Sequence, residues 1–148
     1  MSPKTLLESH DFFQEFSPEN FDLIVENAKV VTLTPGDILF SEGDAARTFY
    51  LVQSGLVAVS ADWLSDDSET RETFGPGDIL GWSWLIPPYN CQFGARAVEP
   101  TTAVAMNGSV LLAKAEQDID FGFQLLKAIA RTACRAAQAE LSHSQATA

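Results

Sequence analysis

Apolar residues follow helical spacing near the start of the chain. Behind Ser17-Pro18, a capping residue followed by a proline at the first helical position, Phe21, Ile24 and Ala28 recur on one helical face. We therefore predict helical structure over residues 9–29, with a break in the middle of that stretch.

The pattern changes from Val30 onward, where short apolar runs such as Phe49–Gln53 and Leu56–Ser60 are separated by turns. Strands this short, punctuated by glycine, are typical of an all-β barrel or sandwich. The acidic segment Asp62–Thr70 has the composition of an exposed hairpin loop. Tight turns need a positive φ or a missing Cβ, which glycine supplies at Gly36, Gly43, Gly55 and Gly77. We place the barrel over residues 30–114.

Helical spacing returns in the last part of the chain, which is also rich in alanine, the best helix former. We predict one long helix over residues 118–141 and a frayed tail after it. Residues 110–114 are either a last strand or the approach to this helix. The apolar stripe of the helix consists of Phe121, Leu125, Leu126, Ile129, Ala133, Ala137 and Leu141.

Composition and charge narrow the class of protein. The 148 residues suit one domain, and no apolar run reaches the roughly 20 residues of a membrane-spanning helix. Residues 1–11 do not resemble a signal peptide, so we expect a cytoplasmic protein whose two cysteines are reduced. A net charge of −11 opposes nucleic-acid binding. The loosely grouped cations Lys127, Arg131 and Arg135 are interpreted as a solvated helix face.

No catalytic or metal-binding constellation is present in the sequence. The two histidines, His10 and His143, lie outside the barrel segment, which argues against a metal site of the cupin kind. Gly75-Pro76-Gly77 is not followed by the Gly-Lys-Ser/Thr of a phosphate-binding loop. We therefore expect no cofactor, no metal and no enzymatic activity.

Three glycine-bearing blocks occur in a familiar order: Pro35–Asp44, Phe49–Val59 and Phe74–Gly81. They resemble the cyclic nucleotide-binding domain of catabolite-activator-type regulators and kinase regulatory subunits. The resemblance implies a mainly β fold with flanking helices, namely a β-jelly-roll barrel between an N-terminal helical segment and a long C-terminal helix. The run Gly81–Tyr89, at the position of the family's phosphate-binding cassette, resembles that of stand-alone bacterial members without a helix-turn-helix.

The cassette departs from the family pattern at both ligand-binding side chains. In the family, a Glu after the glycine bonds the ribose and an Arg about ten residues later pairs with the phosphate; here Trp82 follows Gly81. Alternation back from Ala95 and Ala97 places Cys91 at the Arg position, a length difference of one residue would place Gln92 there, and neither is cationic. The cassette of the stand-alone members carries an Arg beside its tyrosine, where this chain has Asn90.

The resemblance also supplies the candidate site. The ligand pocket is expected to be lined by Gly81, Trp82, Ser83, Leu85, Cys91, Gln92 and Phe93. Strand alternation predicts that Arg96 points outward. With the aromatic residues Trp84 and Tyr89, it is assigned to an interaction surface.

Two functions remain open from the sequence. The first is a stand-alone sensory domain that does not bind cAMP in the usual way and takes a small molecule, either nucleotide-like or an uncharged aromatic. The second is a protein-interaction module whose pocket is filled by its own side chains, with Trp82, Trp84 and Tyr89 as anchors. In either case we expect no nucleic-acid and no membrane partner. A homodimer is expected to form through the helix stripe Leu126, Ile129, Ala133 and Ala137.

Overall fold

The computed structural model describes residues 2–60, 72–85, 87–91 and 93–147, the last thirteen of these through their backbone alone. Helical elements begin the chain: α1 (Pro3–Leu7), a 3₁₀ helix (Asp11–Glu15) and α2 (Pro18–Glu26). Helices α3 (Gly108–Gln117) and α4 (Ile119–Thr147) end it. The described strands between them are β1 (Ala28–Leu33), β2 (Ile38–Phe40), β3 (Thr48–Ser54), β4 (Val57–Ser60), β5 (Glu72–Phe74), β6 (Ile79–Leu80), β7 (Gly94–Ala97) and β8 (Thr101–Asn107).

The strands form two antiparallel sheets. One has the order β1-β8-β3-β6 and the other the order β2-β7-β4-β5. No ladder joins the two sheets within the described ranges, so the jelly roll is open and is not a closed barrel. The predicted fold class, mainly β with flanking helices, is confirmed.

Strand β3 of the first sheet packs on both faces because its side chains alternate between two cores. Phe49 and Leu51 of β3 pack with the helices, whereas Tyr50 and Val52 face the second sheet. The molecule therefore has three layers around two cores: a helical layer, the first sheet, and the second sheet across an apolar interior.

The helix N-cap and the turn glycines lie at the positions predicted from the sequence. The Ser17 hydroxyl accepts a hydrogen bond from the Asn20 amide at the start of α2, as an N-cap does. The predicted turn glycines all have positive φ, between 90° and 96°, at Gly36, Gly43, Gly55 and Gly77. The predicted hairpin loop Asp62–Thr70 lies outside the described residues.

The C-terminal part differs from the prediction at two points. The last strand ends at Asn107, and residues 110–114 belong to a helix, so the sheets end before the predicted boundary at residue 114. The tail after Leu141 does not fray, since α4 continues to Thr147 and no Gly or Pro after Gly122 interrupts it.

The described helices include none that is both long enough and apolar enough to cross a membrane.

The charged face assigned to α4 is also corrected. Lys127 and Arg131 both form ion pairs with Glu15 of the 3₁₀ helix, so neither is simply solvated. The Arg135 side chain lies outside the described part of the chain.

Candidate functional site

The segment between β6 and β7 begins at Gly81 and passes close to the first sheet. Gly81 has a φ of 94°, and a Cβ on it would lie 3.1 Å from the Thr48 carbonyl oxygen and 3.3 Å from the Phe49 Cα. A side chain there would be strained by the backbone conformation and crowded against β3. This glycine sends the following residues toward the helical layer.

Trp82 packs in the helical layer and does not point between the sheets. Its ring lies 5.5 Å from that of Phe49, nearly parallel to it, and 5.7 Å from that of Phe12. The side chain is partly buried against the helical core. The residue at the position of the family's ribose-binding Glu thus stabilises the contact between the segment and the 3₁₀ helix.

Trp84 is a core residue, which corrects its assignment to an interaction surface. Its side chain is 1% exposed and stacks on Phe49 at 5.1 Å. The ring occupies the space that a Cβ on Gly108 would need, with Trp84 Cγ 2.6 Å from that position. The indole Nε1–H has no hydrogen-bond acceptor among the described residues.

Cys91 belongs to the core cluster on the helical side of the first sheet and is held by the loop that follows β2. Its amide donates to the Asp44 carbonyl at 2.8 Å, and its carbonyl accepts from the Gly43 amide at 2.8 Å. The Ala46 amide donates to the Tyr89 carbonyl at 2.7 Å. These bonds fix the two segments side by side, and Cys91 is buried between them.

Burial and a nearby carboxylate keep this region free of thiolate. The pKa of the Cys91 thiol is raised, first by burial and then by the negative charge of Asp44. Burial also raises the pKa of the Tyr50 phenol, with a smaller electrostatic contribution from Cys91. Both groups therefore stay neutral at pH 7.

The interior between the sheets is apolar and aromatic. Phe40 and Tyr50 stack there, with ring centroids 6.2 Å apart. Around them lie Leu39, Val52, Val57, Val59, Phe74, Leu80 and Ala95. Of the described residues, the buried ones include no Lys, Arg or His.

Strand β7 orients Arg96 as the sequence predicted. Ala95 and Ala97 are fully buried, whereas Arg96 lies opposite Ala58 of β4 and Ile38 of β2 on the other face. Phe93 was predicted to face inward but is 37% exposed. It precedes the first residue of β7, Gly94, and the alternation of a strand does not extend to it.

The remaining predicted site residues divide between the helical core and the surface. Ser83 is half-buried in a turn closed by the Leu85 amide and the Trp82 carbonyl, and Leu85 packs on the helical core. Tyr89 is exposed and has a φ of 60°, which few residues other than glycine adopt. Gln92 lies outside the described residues. Sequence reasoning missed Phe40 and Tyr50, although the alternation along β3 was a signal for Tyr50.

The cyclic nucleotide-binding domain model matches residues 30–118, from β1 to the end of α3 and including the segment between β6 and β7. The chain belongs to the cyclic nucleotide-binding domain family.

Proteins similar to this chain include a cyclic AMP receptor protein and a transcriptional regulator. The cyclic AMP receptor protein of Thermus thermophilus is 28% identical over 100 residues, which cover 68% of this chain but 46% of that protein. A solved structure of a candidate cyclic nucleotide-binding protein from Geobacter metallireducens GS-15 has a TM-score of 0.78 at 25% identity, covering 91% of this chain and 98% of that one. The N-terminal domain of a Streptomyces coelicolor A3(2) transcriptional regulator shares the fold, with a TM-score of 0.68 at 23% identity over 88% of this chain and 94% of that one.

Proposed function

We propose that this chain is a single sensory domain that binds a flat, uncharged aromatic ligand between its sheets and does not bind cyclic nucleotides in the usual way. The observation that carries the proposal is the chemistry of the intersheet space. The described buried side chains include no Lys, Arg or His, and Trp82, the residue after Gly81, packs against the helices. The domain acts by binding rather than catalysis, in the cytoplasm and without contacting DNA.

A cyclic phosphate would find no cationic partner among the described buried side chains of this space. Without a cation the phosphate loses a charge-assisted hydrogen bond of roughly 1.5–3 kcal/mol, and without a carboxylate after Gly81 the ribose loses an acceptor. The phosphate would also approach Asp44 and a chain with a net charge of −11. Each of these terms weakens binding of an anion.

An aromatic ligand has the contacts that a phosphate lacks. The stacked pair Phe40–Tyr50 offers a ring face, and Tyr50 offers a neutral hydroxyl that donates or accepts one hydrogen bond. An apolar interior with one convergent polar group is the usual composition of a small-molecule site.

We expect cAMP and cGMP at millimolar concentration to give no saturable heat in calorimetry and no rise in melting temperature. Uncharged probes, adenosine and indole, are expected to raise the melting temperature saturably, because a ligand that binds only the folded state stabilises it. The Tyr50→Leu variant should weaken probe binding about tenfold by losing the stacking partner.

The matched control is Tyr89→Leu, which makes the same substitution at an exposed tyrosine and should leave probe affinity unchanged. Tight uptake of cAMP by the purified protein would refute the proposal. If neither adenosine nor indole raised the melting temperature, the proposed class of ligand would be wrong.

A second candidate function, association through α4, is favoured by the outer face of that helix. Ile119, Phe123 and Leu126 are 87%, 65% and 63% exposed, and Ala130 and Ala133 continue the same face. The five residues, here called the outer seam, are spaced alternately by four and three positions, which is the pattern of a two-helix coiled coil. We propose that the outer seam pairs with that of a second copy.

The outer seam differs from the predicted dimer stripe. Leu126 and Ala133 belong to it, but Ile129 packs against the helical core and the Ala137 side chain is not described. The inner face of α4 buries Phe121, Leu125 and Ala128 instead.

Replacing Leu126 with Glu should raise the dimer dissociation constant about a hundredfold, because two leucines leave the interface and two carboxylates enter it. Sedimentation velocity over a concentration series measures the change. Val110→Glu is the control, since it adds the same charge at an exposed apolar position of α3. A wild-type protein that sediments at 16.1 kDa at every concentration would contradict the dimer.

A further inference from the structure

Glu15, the last residue of the 3₁₀ helix, binds two cations of α4. Its carboxylate lies 3.3 Å from Lys127 Nζ and also contacts the Arg131 guanidinium. The Glu15 side chain is only 11% exposed, so water screens this charge much less than that of a surface acid. Its position differs from that of the other acid bound to a lysine of a neighbouring element, Asp22, whose pair with Lys4 is well exposed and 3.9 Å long.

One turn earlier, Gln124 attaches the same flank of α4 to the start of α2. Its Oε1 accepts hydrogen bonds from the Ser17 amide at 3.1 Å and from the Asn20 side-chain amide at 2.9 Å. Residues 124, 127 and 131 are three and four positions apart and therefore lie along one flank of the helix. This flank holds the N-terminal helical segment by these polar contacts.

The polar flank lies beside the outer seam and touches it at one point, where Lys127 Nζ lies 6.0 Å from the centroid of the Phe123 ring. The seam is formed by residues 119, 123, 126, 130 and 133, and the inner face by 121, 125 and 128. Apolar burial on the inner face fixes how deeply α4 sits, but it resists rotation of the helix about its own axis less well than directional bonds do. The bonds to Glu15 and Gln124 are therefore suited to fix that rotation.

We propose that Glu15 is an ionic clamp that sets the rotation of α4, and through it the direction in which the outer seam meets a second copy. The part that concerns the second copy rests on the proposed function. Glu15 does not lie on the seam, so it acts as a positioning residue.

The clamp itself is tested in the full chain carrying Leu126→Glu, so that association plays no part. Hydrogen exchange is measured with and without Glu15→Gln, which keeps the shape of the side chain but removes its charge. We expect exchange of the α4 amides over residues 119–131 to become about tenfold faster, because two charge-assisted bonds are lost. Asp22→Asn, which removes the exposed pair with Lys4, is expected to change exchange less than twofold.

The effect on association is measured in the chain with Leu126 intact. Glu15→Gln should raise the dimer dissociation constant about tenfold, and the triple variant Glu15→Arg, Lys127→Glu, Arg131→Glu should restore it by reversing every charge of the clamp. Unchanged exchange in Glu15→Gln would overturn the clamp. Faster exchange with an unchanged dissociation constant would overturn its effect on the seam. Failure of the proposed dimer is seen separately, as a monomeric wild type whose exchange still responds to Glu15→Gln.

Discussion

The Gly55→Ala variant is expected to lose about 4 kcal/mol of unfolding free energy, enough to unfold much of a marginally stable domain. Gly55 has a φ of 96°, a conformation that costs alanine roughly 1–2 kcal/mol. A Cβ there would also collide with the backbone, lying 2.7 Å from the Thr101 Cα and against the Pro100 carbonyl oxygen. Overpacking of this kind adds roughly 1–3 kcal/mol.

The surroundings of Gly55 leave little room for relaxation. Thr101 is buried, and its hydroxyl donates to the Glu99 carbonyl at 2.8 Å and accepts from the Leu56 amide at 3.2 Å. Moving Thr101 away from a new Cβ would break these bonds. The strain therefore stays in the turn between β3 and β4.

Gly36→Ala is the matched control, because Gly36 has the same φ of 96° but no atom within 4 Å of the added Cβ. It should lose only the conformational part, about 1–2 kcal/mol. Chemical denaturation of both variants measures the difference, which reports the collision alone. Equal losses in the two variants would show that β8 gives way and that the contact at Gly55 is unimportant.

Trp84→Ala is expected to lose about 3–5 kcal/mol, the range for a buried tryptophan replaced by alanine. The Trp84 ring is stacked on Phe49 and covers Gly108, so its removal leaves a cavity between the cassette segment and α3. The unpaired indole N–H lowers the loss somewhat, since its burial without an acceptor is itself unfavourable.

Tyr89→Ala is the control for Trp84→Ala, because Tyr89 lies in the same segment but is exposed. Its loss should stay within about 0.5 kcal/mol. Urea unfolding followed by circular dichroism measures both variants. If both variants lost similarly little unfolding free energy, Trp84 would not be part of the core. Its predicted place in an interaction surface would then be supported.

Regular alternation and turn chemistry were sufficient to predict the layered part of the fold. The positive φ at Gly55 follows from turn chemistry, and the burial of Ala95 and Ala97 follows from the period of a strand. The helix cap at Ser17 follows from its side chain. In each case the local sequence and the tertiary structure favour the same conformation.

The candidate site was harder to predict because it lies in an irregular segment. No period relates Trp82 or Trp84 to its neighbours, and the sequence does not show that Gly81 directs both rings to the helical layer. The clamp was missed for a related reason. Glu15 and Arg131 are distant in sequence, and only the packing of α4 on the 3₁₀ helix brings them together.

Strand β3 separates two compartments by the thickness of one backbone. Tyr50 faces the interior between the sheets, while Phe49, the adjacent residue, carries both Trp82 and Trp84 on its ring. A molecule that displaces Tyr50 strains the peptide that also positions Phe49, and so changes the surroundings of two of the three indoles in the chain. The fluorescence emission of these indoles is therefore an intrinsic reporter of ligand binding on the opposite face of β3.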